Sequence, residues 1–370
     1  MKVGILKEIK VLEKRVCMVP SGVATMVAAG HELYVEASAG VGAGYSDEEY
    51  IAAGAKILAT PAEVYQTCDM VMHVKEPQPS EYEMIREGQI VFTYLHLAAD
   101  KPQTDALIKA KSINIAYETI EKADGSLPLL VPMSEVAGRM ATQQGAKYLE
   151  MPQGGRGVLL GGVTGVPPAT VVVIGGGVVG TNAAKMACGL GAQVYILDTN
   201  LKRLAYLDDV MPANCFPVMS NPAVIREYVT KADLVIGAVL VAGAKAPKLV
   251  TKDMLKDMKD GSVIVDVAID QGGCVETSKA TTHAEPVFTV DGVVHYCVAN
   301  MPGAVSRTST LALTNATLPY ALEIANKGWQ KAMQENEEIR LGANVIKGEV
   351  TFKAVAEAFD MPYTPVEKFL

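Results

Sequence analysis

The sequence lacks the features that nucleic-acid-binding and membrane proteins need. Its 33 lysines and arginines are outnumbered by 41 aspartates and glutamates, which gives a net charge of −8, so no basic stripe is available to neutralise phosphates. No stretch of 18 apolar residues runs without glycine, proline or charge, and the opening M-K-V-G-I-L-K-E has no apolar run or cleavage site of a signal peptide. We therefore expect no nucleic acid and no membrane among the partners.

Paired cysteines are also missing. The six cysteines stand singly among apolar neighbours with no C-x-x-C pair, which predicts a reduced, cytoplasmic protein. Aromatic residues make up only 6% of the chain, whereas 49% is hydrophobic and 33 residues are glycine. This composition is typical of an α/β enzyme with Val/Ile/Ala-rich parallel strands, and 370 residues suggest about two domains.

The most informative segment is 171–180, V-V-V-I-G-G-G-V-V-G, which contains G-x-G-x-x-G at Gly175, Gly177 and Gly180. A helical A-A-K-M-A-C follows, and then a second strand that closes at Asp198. The first glycine allows a tight strand-to-helix turn, the second lets a pyrophosphate approach the helix N-terminus, and the third lets helix and strand pack closely. A bare glycine motif is more often only a turn. With both strands, the helix and the acid in order, the segment predicts a dinucleotide-binding βαβ unit.

The acid at the end of the second strand indicates which dinucleotide is bound. Asp198 can accept hydrogen bonds from the adenosine ribose hydroxyls and would repel a 2′-phosphate. We therefore expect NAD rather than NADP as the cofactor.

The region before the glycine motif alternates short apolar strands with helical stretches, which predicts a parallel sheet covered by helices. It has no phosphate-binding glycine motif and is expected to bind something other than the dinucleotide. The predicted strands are 2–6, 32–36, 70–75, 90–94 and 113–117, and the predicted helical stretches are 20–29, 46–53, 80–87 and 101–110.

The second region begins with a connecting helix at 134–147 and a glycine-rich loop at 151–165. Its predicted strands are 171–174, 193–197, 233–238, 262–267 and 294–298. A helical pattern at 306–338 follows with no further strands expected, so we predict that it returns to the first domain. The prediction is an α/β fold of two Rossmann-like domains with parallel sheets: a discontinuous substrate domain (1–133 plus 306–370), an NAD-binding domain (134–305), and an active site in the cleft between them.

Four polar residues stand where loops or strand ends are expected: Arg15, Lys75, His96 and Asp270. Each alone has an ordinary explanation: a solvated charge, a strand-end charge, a hydrogen-bonded core or edge histidine, and a turn-forming aspartate. Three of them come from different loops or strand ends of one α/β domain that faces a nucleotide domain. Together they predict a catalytic site.

Along its whole length the chain resembles the NAD-dependent L-alanine dehydrogenases of the alanine dehydrogenase/transhydrogenase superfamily. The resemblance is carried by the segments 13–20, 74–77, 94–98, 133–139, 161–184, 266–277 and 295–310. It implies that Arg15 and Lys75 hold the substrate carboxylate and that His96 and Asp270 form the acid–base pair. It also implies an assembly into homohexamers.

The resemblance extends to the cofactor. The implied NAD-site residues are Ser134, Gly175, Gly177, Val178, Val179, Gly180, Asp198, Arg203, Ser220, Val239, Leu240, Val267, Ala268, Ile269, Asp270, Val298, Ala299, Asn300 and Met301. Some relatives carry a Glu/His pair four residues apart that can hold a divalent ion. Here Glu323 is followed by Lys327, a helix-stabilising charge pair, so we predict no metal.

The implied reaction is the reversible oxidation of L-alanine to pyruvate and ammonium. Histidine suits its proton transfers because it exchanges protons near neutral pH. Three alternatives stay open: the NAD(H)-binding component of a proton-translocating transhydrogenase, a saccharopine-type or other amino-acid dehydrogenase, and an NAD-bound regulator without turnover. The presence of Arg15, Lys75, His96 and Asp270 disfavours the first.

Overall fold

The computed structural model describes residues 1–239 and 246–370, which form two compact units. Unit 1 contains Met1–Met133 and Val305–Leu370, and unit 2 contains Ser134–Ala304. Within the described ranges, no helix is both long and apolar enough to cross a bilayer.

The first part of unit 1 is a twisted parallel sheet with helices between its strands. Its strands are β1 (Lys2–Ile5), β2 (Glu32–Glu36), β3 (Lys56–Leu58), β4 (Met70–Met72), β5 (Ile90–Thr93) and β6 (Ile113–Ala116), and its helices are α1 (Pro20–Ala28), α2 (Asp47–Ala52), α3 (Pro61–Thr67) and α4 (Lys101–Ala110). The spatial order is β3-β2-β1-β4-β5-β6. The chain reverses its direction of travel across the sheet between β1 and β4, and such switch points are where open α/β sheets bind ligands.

Local sequence explains most of these helices, and one prediction was wrong. Capping boxes at Ser46/Glu49 and Thr60/Glu63 start α2 and α3. The helix predicted at 80–87 is only a single 3₁₀ turn, Tyr82–Met84. The backbone N–H of Arg86 donates to the Gln89 side chain at 3.1 Å instead of to a carbonyl one turn earlier, so the helix does not continue.

Unit 2 repeats the same topology. It has helices α5 (Val131–Tyr148, which starts just before the unit), α6 (Val178–Gly189), α7 (Leu201–Val210), α8 (Pro222–Lys231) and α9 (Lys252–Leu255), and strands β7 (Thr170–Ile174), β8 (Gln193–Asp198), β9 (Cys215–Met219), β10 (Leu234–Gly237), β11 (Val263–Asp266), β12 (Val287–Val290) and β13 (Val293–Tyr296). The order is β9-β8-β7-β10-β11-β13-β12, with only β12 antiparallel among these described strands. Its switch point lies between β7 and β10.

The edge strands of unit 2 were not predicted. β9 reads C-F-P-V-M and lies at the end of the sheet, where Pro217 needs no outward ladder hydrogen bond. β12 forms the opposite edge through an antiparallel pairing with β13. Both strands are only partly buried, so they lack the continuous apolar run of a central strand.

The C-terminal segment completes unit 1. It contains α10 (Ser306–Lys327), α11 (Trp329–Glu335), α12 (Glu337–Leu341), β14 (Ala343–Ile346), β15 (Glu349–Val350) and α13 (Lys353–Phe359). Leu313 and Ile324 of α10 belong to the same buried cluster as Val3 of β1 and Val19, just before α1. Thr310 and Thr314 accept hydrogen bonds from the backbone of Val16 and Val19. The segment is therefore part of the core of unit 1.

Two expectations for this segment were wrong. The helix predicted at 306–338 ends at Lys327, because Gly328 adopts a φ of 76° that stops it. Strands do follow: β14 pairs antiparallel with β6, and β15 pairs with β14, so the two strands extend the sheet to eight. The predicted α/β class, with two mostly parallel Rossmann-like sheets, is confirmed.

Candidate functional site

In unit 1, Arg15, Lys75 and His96 lie along one edge of the sheet. Lys75 follows β4 and His96 follows the adjacent β5, while Arg15 lies in the loop between β1 and α1. The carboxyl ends of parallel strands meet at the same edge, and β1 and β4 flank the switch point. The fold therefore brings these three residues to the region of the unit best suited to hold a small ligand.

Arg15 is a buried cation whose position is set by Glu13. Its Nε and NH2 donate to the two carboxylate oxygens of Glu13 at 2.7 and 2.5 Å, and NH1 lies 3.1 Å from Met133 Sδ. Burial opposes the charge, but the hydrogen-bonded ion pair with Glu13 outweighs it and raises the pKa of Arg15. A bidentate pair fixes the plane of the guanidinium, so Arg15 is a rigid, permanent positive charge.

Lys75 is half-buried, and its backbone is held by Glu8. Glu8 Oε1 accepts from the N–H groups of Val74 at 2.6 Å and Lys75 at 3.3 Å. Burial, followed by the charge of Arg15, lowers the pKa of Lys75. A buried lysine near a second cation is an arrangement that favours an anion beside them.

His96 is solvent-accessible and held in a left-handed backbone conformation, with φ 52° and ψ 37°. Glu118, which follows β6, accepts from the backbone N–H of His96 at 2.6 Å and from that of Leu95 at 3.1 Å. The ring stacks on Tyr94, with centroids 6.0 Å apart. The carboxylate of Glu118 thus stabilises a strained turn that presents the imidazole at the sheet edge.

In unit 2, each motif glycine has a steric environment of its own. Gly175 has a φ of +102°, and a Cβ there would lie 2.6 Å from the carbonyl oxygen of Ala238. A Cβ on Gly180 would lie 1.8 Å from the oxygen of Gly175, whereas a Cβ on Gly177 would meet nothing within 4 Å. The first and third glycines are required by packing. The second faces open space at the N-terminus of α6, where a pyrophosphate would fit.

Asp198 ends β8 against this turn. Its carboxylate accepts from the N–H of Gly176 at 2.7 Å and from that of Asn200 at 2.8 Å, and a carboxylate still has lone pairs for ribose hydroxyls. Arg203 donates to the oxygen of Gly176 at 2.5 Å and to Thr181 Oγ1 at 2.8 Å. Asp198 and Arg203 therefore hold the glycine turn in place through the backbone of Gly176.

The other predicted cofactor residues follow the carboxyl ends of parallel strands in unit 2. Ser220 follows β9, Val239 follows β10, Val267, Ala268, Ile269 and Asp270 follow β11, and Val298, Ala299, Asn300 and Met301 follow β13. Val178 and Val179 open α6, and Leu240 lies outside the described residues.

Ser134 is placed by helix packing rather than by a strand end. It lies on α5, one turn before Gly138, where a Cβ would lie 2.2 Å from the oxygen of Val179. Arg139 of α5 also donates to Asn182 of α6 at 3.0 Å. The close packing of α5 on α6 brings Ser134 towards the start of α6.

Asp270 is exposed in a 3₁₀ turn, Val267–Gln271, which is anchored by the buried Asp266. The carboxylate of Asp266 accepts from the N–H groups of Ala268 and Val275, both at 3.1 Å, and from Ser278 Oγ at 2.6 Å. Sequence reasoning did not select Asp266, Glu13, Glu8 or Glu118. Asp266 and Glu118 each stand at or just after a parallel strand, which could have marked them.

The predicted charge pair on α10 is present, with Lys327 Nζ 2.8 Å from Glu323. Across residues 1–239 and 246–370, the structure shows no cluster of three or more His, Cys, Asp or Glu side chains arranged to hold a metal ion.

Two doubly wound units, one with a glycine-rich turn at its switch point, define a Rossmann-like protein of the dinucleotide-binding class. Residues 4–137 match the family described as alanine dehydrogenase/PNT, N-terminal domain, and residues 141–353 match its C-terminal domain. The chain belongs to the alanine dehydrogenase/PNT family, which confirms the predicted resemblance.

Similar proteins cover the whole chain. Alanine dehydrogenase from Methanococcus maripaludis is 59% identical over 371 residues, with 100% of both chains covered. A solved L-alanine dehydrogenase structure superposes with a TM-score of 0.95 at 51% identity, over 97% of this chain and 99% of that one. A transhydrogenase structure from Sinorhizobium meliloti has a TM-score of 0.83 at 26% identity, over 96% of this chain and 100% of that one. The similarity to the dehydrogenases is much the stronger.

Proposed function

We propose that this chain catalyses the reversible reaction L-alanine + NAD⁺ + H₂O ⇌ pyruvate + ammonium + NADH + H⁺. The observation that carries the proposal is the 59% identity to an alanine dehydrogenase over the full length of both chains. The polar edge of unit 1 and the glycine turn of unit 2 supply the residue types that such a reaction needs.

Unit 2 is proposed to bind NAD. The open space at Gly177 admits a pyrophosphate next to the N-terminus of α6, where unpaired N–H groups and the helix dipole favour an anion. Asp198 would accept from the ribose hydroxyls and disfavour NADP. NAD⁺ bound there would supply the hydride acceptor that oxidation of the substrate Cα needs. The strand-end residues 267–270 and 298–301, with Ser134, Arg203 and Ser220, are proposed to line the same site.

Unit 1 is proposed to bind the substrate carboxylate through Arg15 and Lys75. Glu13 holds the guanidinium of Arg15 in one plane, so little conformational entropy is lost when an anion binds there. Burial first, and the charge of Arg15 second, lower the pKa of Lys75, so part of this lowering is repulsion between the two cations. A substrate carboxylate would relieve that repulsion, which favours anionic substrates over neutral ones.

His96 and Asp270 are proposed as the acid–base pair. Loss of hydride from the substrate amine leaves an iminium. Water must add to this iminium with loss of a proton. The resulting carbinolamine must then gain a proton before it expels ammonia. A histidine on an exposed turn can both take and return that proton. Asp270, on a turn anchored by Asp266, would stabilise the iminium or activate the water.

The family resemblance further supports a cytoplasmic homohexamer. Light scattering on the purified protein should give a particle of about six times the 39.2 kDa chain mass. A monomer or dimer at micromolar concentration would contradict this part of the proposal.

The first test is NADH formation from NAD⁺ with L-alanine, compared with D-alanine, L-serine and saccharopine. Turnover confined largely to L-alanine is expected. Preference for saccharopine would assign the chain to another amino-acid dehydrogenase. NADH binding without turnover of any amino acid would favour a transhydrogenase-type module or a regulator.

A further inference from the structure

A buried ionic cluster lies in unit 1 at the carboxyl end of β4, next to the segment that carries Lys75. The ring of His73, the first residue after β4, lies between two carboxylates: Nδ1 is 3.2 Å from Glu8 Oε1, and Nε2 is 3.1 Å from Glu81 Oε1. All three side chains are almost completely excluded from solvent. Such a cluster is costly to bury unless every charge is paired, and none of these residues has a role in the proposed reaction.

The geometry favours an imidazolium at His73, because each ring nitrogen lies close to a carboxylate oxygen. A carboxylate only accepts hydrogen bonds, and a neutral imidazole has a single N–H, so donation to both glutamates needs both ring nitrogens protonated. Burial favours the neutral ring, but the charges and hydrogen bonds of Glu81 and Glu8 outweigh burial and raise the pKa of His73 to about 10. His73 is therefore a fixed cation throughout the neutral range.

Other groups also face this ring. The carboxylate of Glu36, at the end of β2, lies in the same buried region, and Tyr65 of α3 places its hydroxyl 3.3 Å from Nε2 of His73. The charge of Arg15 also interacts with Glu8. Three carboxylates therefore surround one imidazolium, and loss of its charge would leave them repelling one another.

The two glutamates clamp the Lys75 segment at both ends. Glu8 accepts from the N–H groups of Val74 and Lys75. Glu81 accepts from the N–H of Gln78 at 2.7 Å through Oε2. Because His73 joins the two glutamates, the start and the end of the segment 74–78 are tied to one buried cation.

We propose that Glu8, His73 and Glu81 are positioning residues that hold Lys75 in place and thereby set the affinity for the substrate carboxylate. This inference rests on the proposed role of Lys75 in binding that carboxylate. The three residues touch no substrate. They act through the backbone of 74–78, so their loss weakens alanine binding while NAD binding, which belongs to the other unit, is unaffected.

The test is the variant His73→Gln in the full-length enzyme. A glutamine amide can donate to one glutamate only, and its oxygen then faces the other, so the clamp loosens on one side. The expected result is a rise of about tenfold in KM for L-alanine, the scale of a lost hydrogen bond to a charged group. Both kcat and KM for NAD⁺ should stay within about twofold, as for a loss of uniform substrate binding.

His31→Gln is the matched control. His31 is also a buried histidine of unit 1, and its ring nitrogens lie at the Met1 amino group and, at 2.9 Å, at Asn326 Oδ1 rather than at the Lys75 segment. Its KM for L-alanine should equal that of the wild type. If His73→Gln does not fold, Glu81→Gln replaces it. That variant keeps an oxygen for the N–H of Gln78 and loses both the charge and the acceptor oxygen that face His73.

A second readout is the titration of the imidazole rings by NMR in protein selectively labelled at its five histidines. The His73 signal, identified by its loss in His73→Gln, should stay protonated beyond pH 8, and its pKa should fall in Glu8→Gln. A His73 that titrates near neutrality would overturn the clamp, as would an unchanged KM for L-alanine in an active His73→Gln enzyme. A wild-type enzyme without alanine-dependent NADH formation would instead overturn the proposed function, and this inference with it.

Discussion

The two units have the same strand order but present different chemistry at the same edge. At its switch point, unit 1 presents polar side chains: the cations Arg15 and Lys75 and, one strand further along, His96. Unit 2 presents the backbone of Gly175–Gly177, which is hydrogen-bonded to the carboxylate of Asp198. A compact carboxylate is bound by cations, whereas a diffuse pyrophosphate is bound by several N–H groups. One topology therefore presents two different kinds of polar edge through a change of residues at its loops.

The two units also hold their candidate site residues in a common way. Glu13 holds Arg15, Glu118 holds the His96 turn, and Asp266 holds the Asp270 turn. In each case a buried or half-buried carboxylate accepts from backbone or guanidinium N–H groups. The difference is that in unit 1 a carboxylate also holds a guanidinium, that of Arg15, whereas in unit 2 Asp266 holds the backbone of the Asp270 turn.

The largest expected effect comes from removing the reactive side chain of unit 1. His96→Ala should lower kcat by about 10²–10⁴, the usual loss when an acid–base group is removed, because no proton donor then faces the carbinolamine. NAD⁺ affinity, measured by calorimetry, should not change. A variant that kept most of its turnover would exclude His96 as the acid–base residue.

The next-largest effect is expected from a substitution in the glycine turn of unit 2. Gly180→Ala places a Cβ 1.8 Å from the oxygen of Gly175, so the turn must shift, and NAD⁺ affinity should fall by about tenfold or more. Gly189→Ala is the matched control, because it lies on the same helix and its Cβ would meet nothing within 4 Å. Equal NAD⁺ affinities for the two variants in titration calorimetry would rule out the proposed role of the turn.

A smaller effect concerns cofactor choice. Asp198→Ala removes the carboxylate that would repel a 2′-phosphate, and the ratio of kcat/KM for NADP⁺ over NAD⁺ should rise by about tenfold, the scale of one charged contact. Steady-state kinetics with both cofactors would measure it. An unchanged ratio would mean that cofactor preference is set by another residue.

The smallest expected effect is a pH dependence of KM for pyruvate that arises from Lys75 in unit 1. Because burial and Arg15 lower the pKa of Lys75, its charge is lost at a lower pH than that of an ordinary lysine. KM for pyruvate, whose carboxylate stays ionised, should therefore rise several-fold as the pH becomes alkaline. Lys75→Arg keeps the charge at every pH used and should give a flatter profile. An equal rise in both enzymes would assign the effect to another group.

Much of the fold was predictable because its signals are local. The central strands β1, β5, β7 and β11 are short apolar runs. Capping boxes mark the starts of α2 and α3, and a proline also marks the start of α3. The helix predicted at 80–87 was wrong because the Gln89 side chain accepts the backbone N–H of Arg86 that a continued helix would need. β9 was not predicted because it contains a proline, and a strand tolerates proline only where it lies at the edge of a sheet.

The candidate site was predictable only in part. Arg15, Lys75, His96 and Asp270 could be selected because polar residues after apolar runs fall at one sheet edge. Their supporting carboxylates could not. Glu118 is 22 residues from His96, and Glu8 is 67 residues from Lys75, so nothing in the local pattern joins them.

By itself, the sequence determined the elements whose physics is local: the glycine turn, the apolar strands, the helix caps and the family to which the chain belongs. Only the tertiary structure decided which distant groups meet. β14 pairs with β6 across more than 220 residues, and His73 lies between Glu8 and Glu81. The physical reason is that a hydrogen bond or ion pair depends on atoms being within a few ångströms, and for residues far apart in the chain that distance is set by the packing of every element between them.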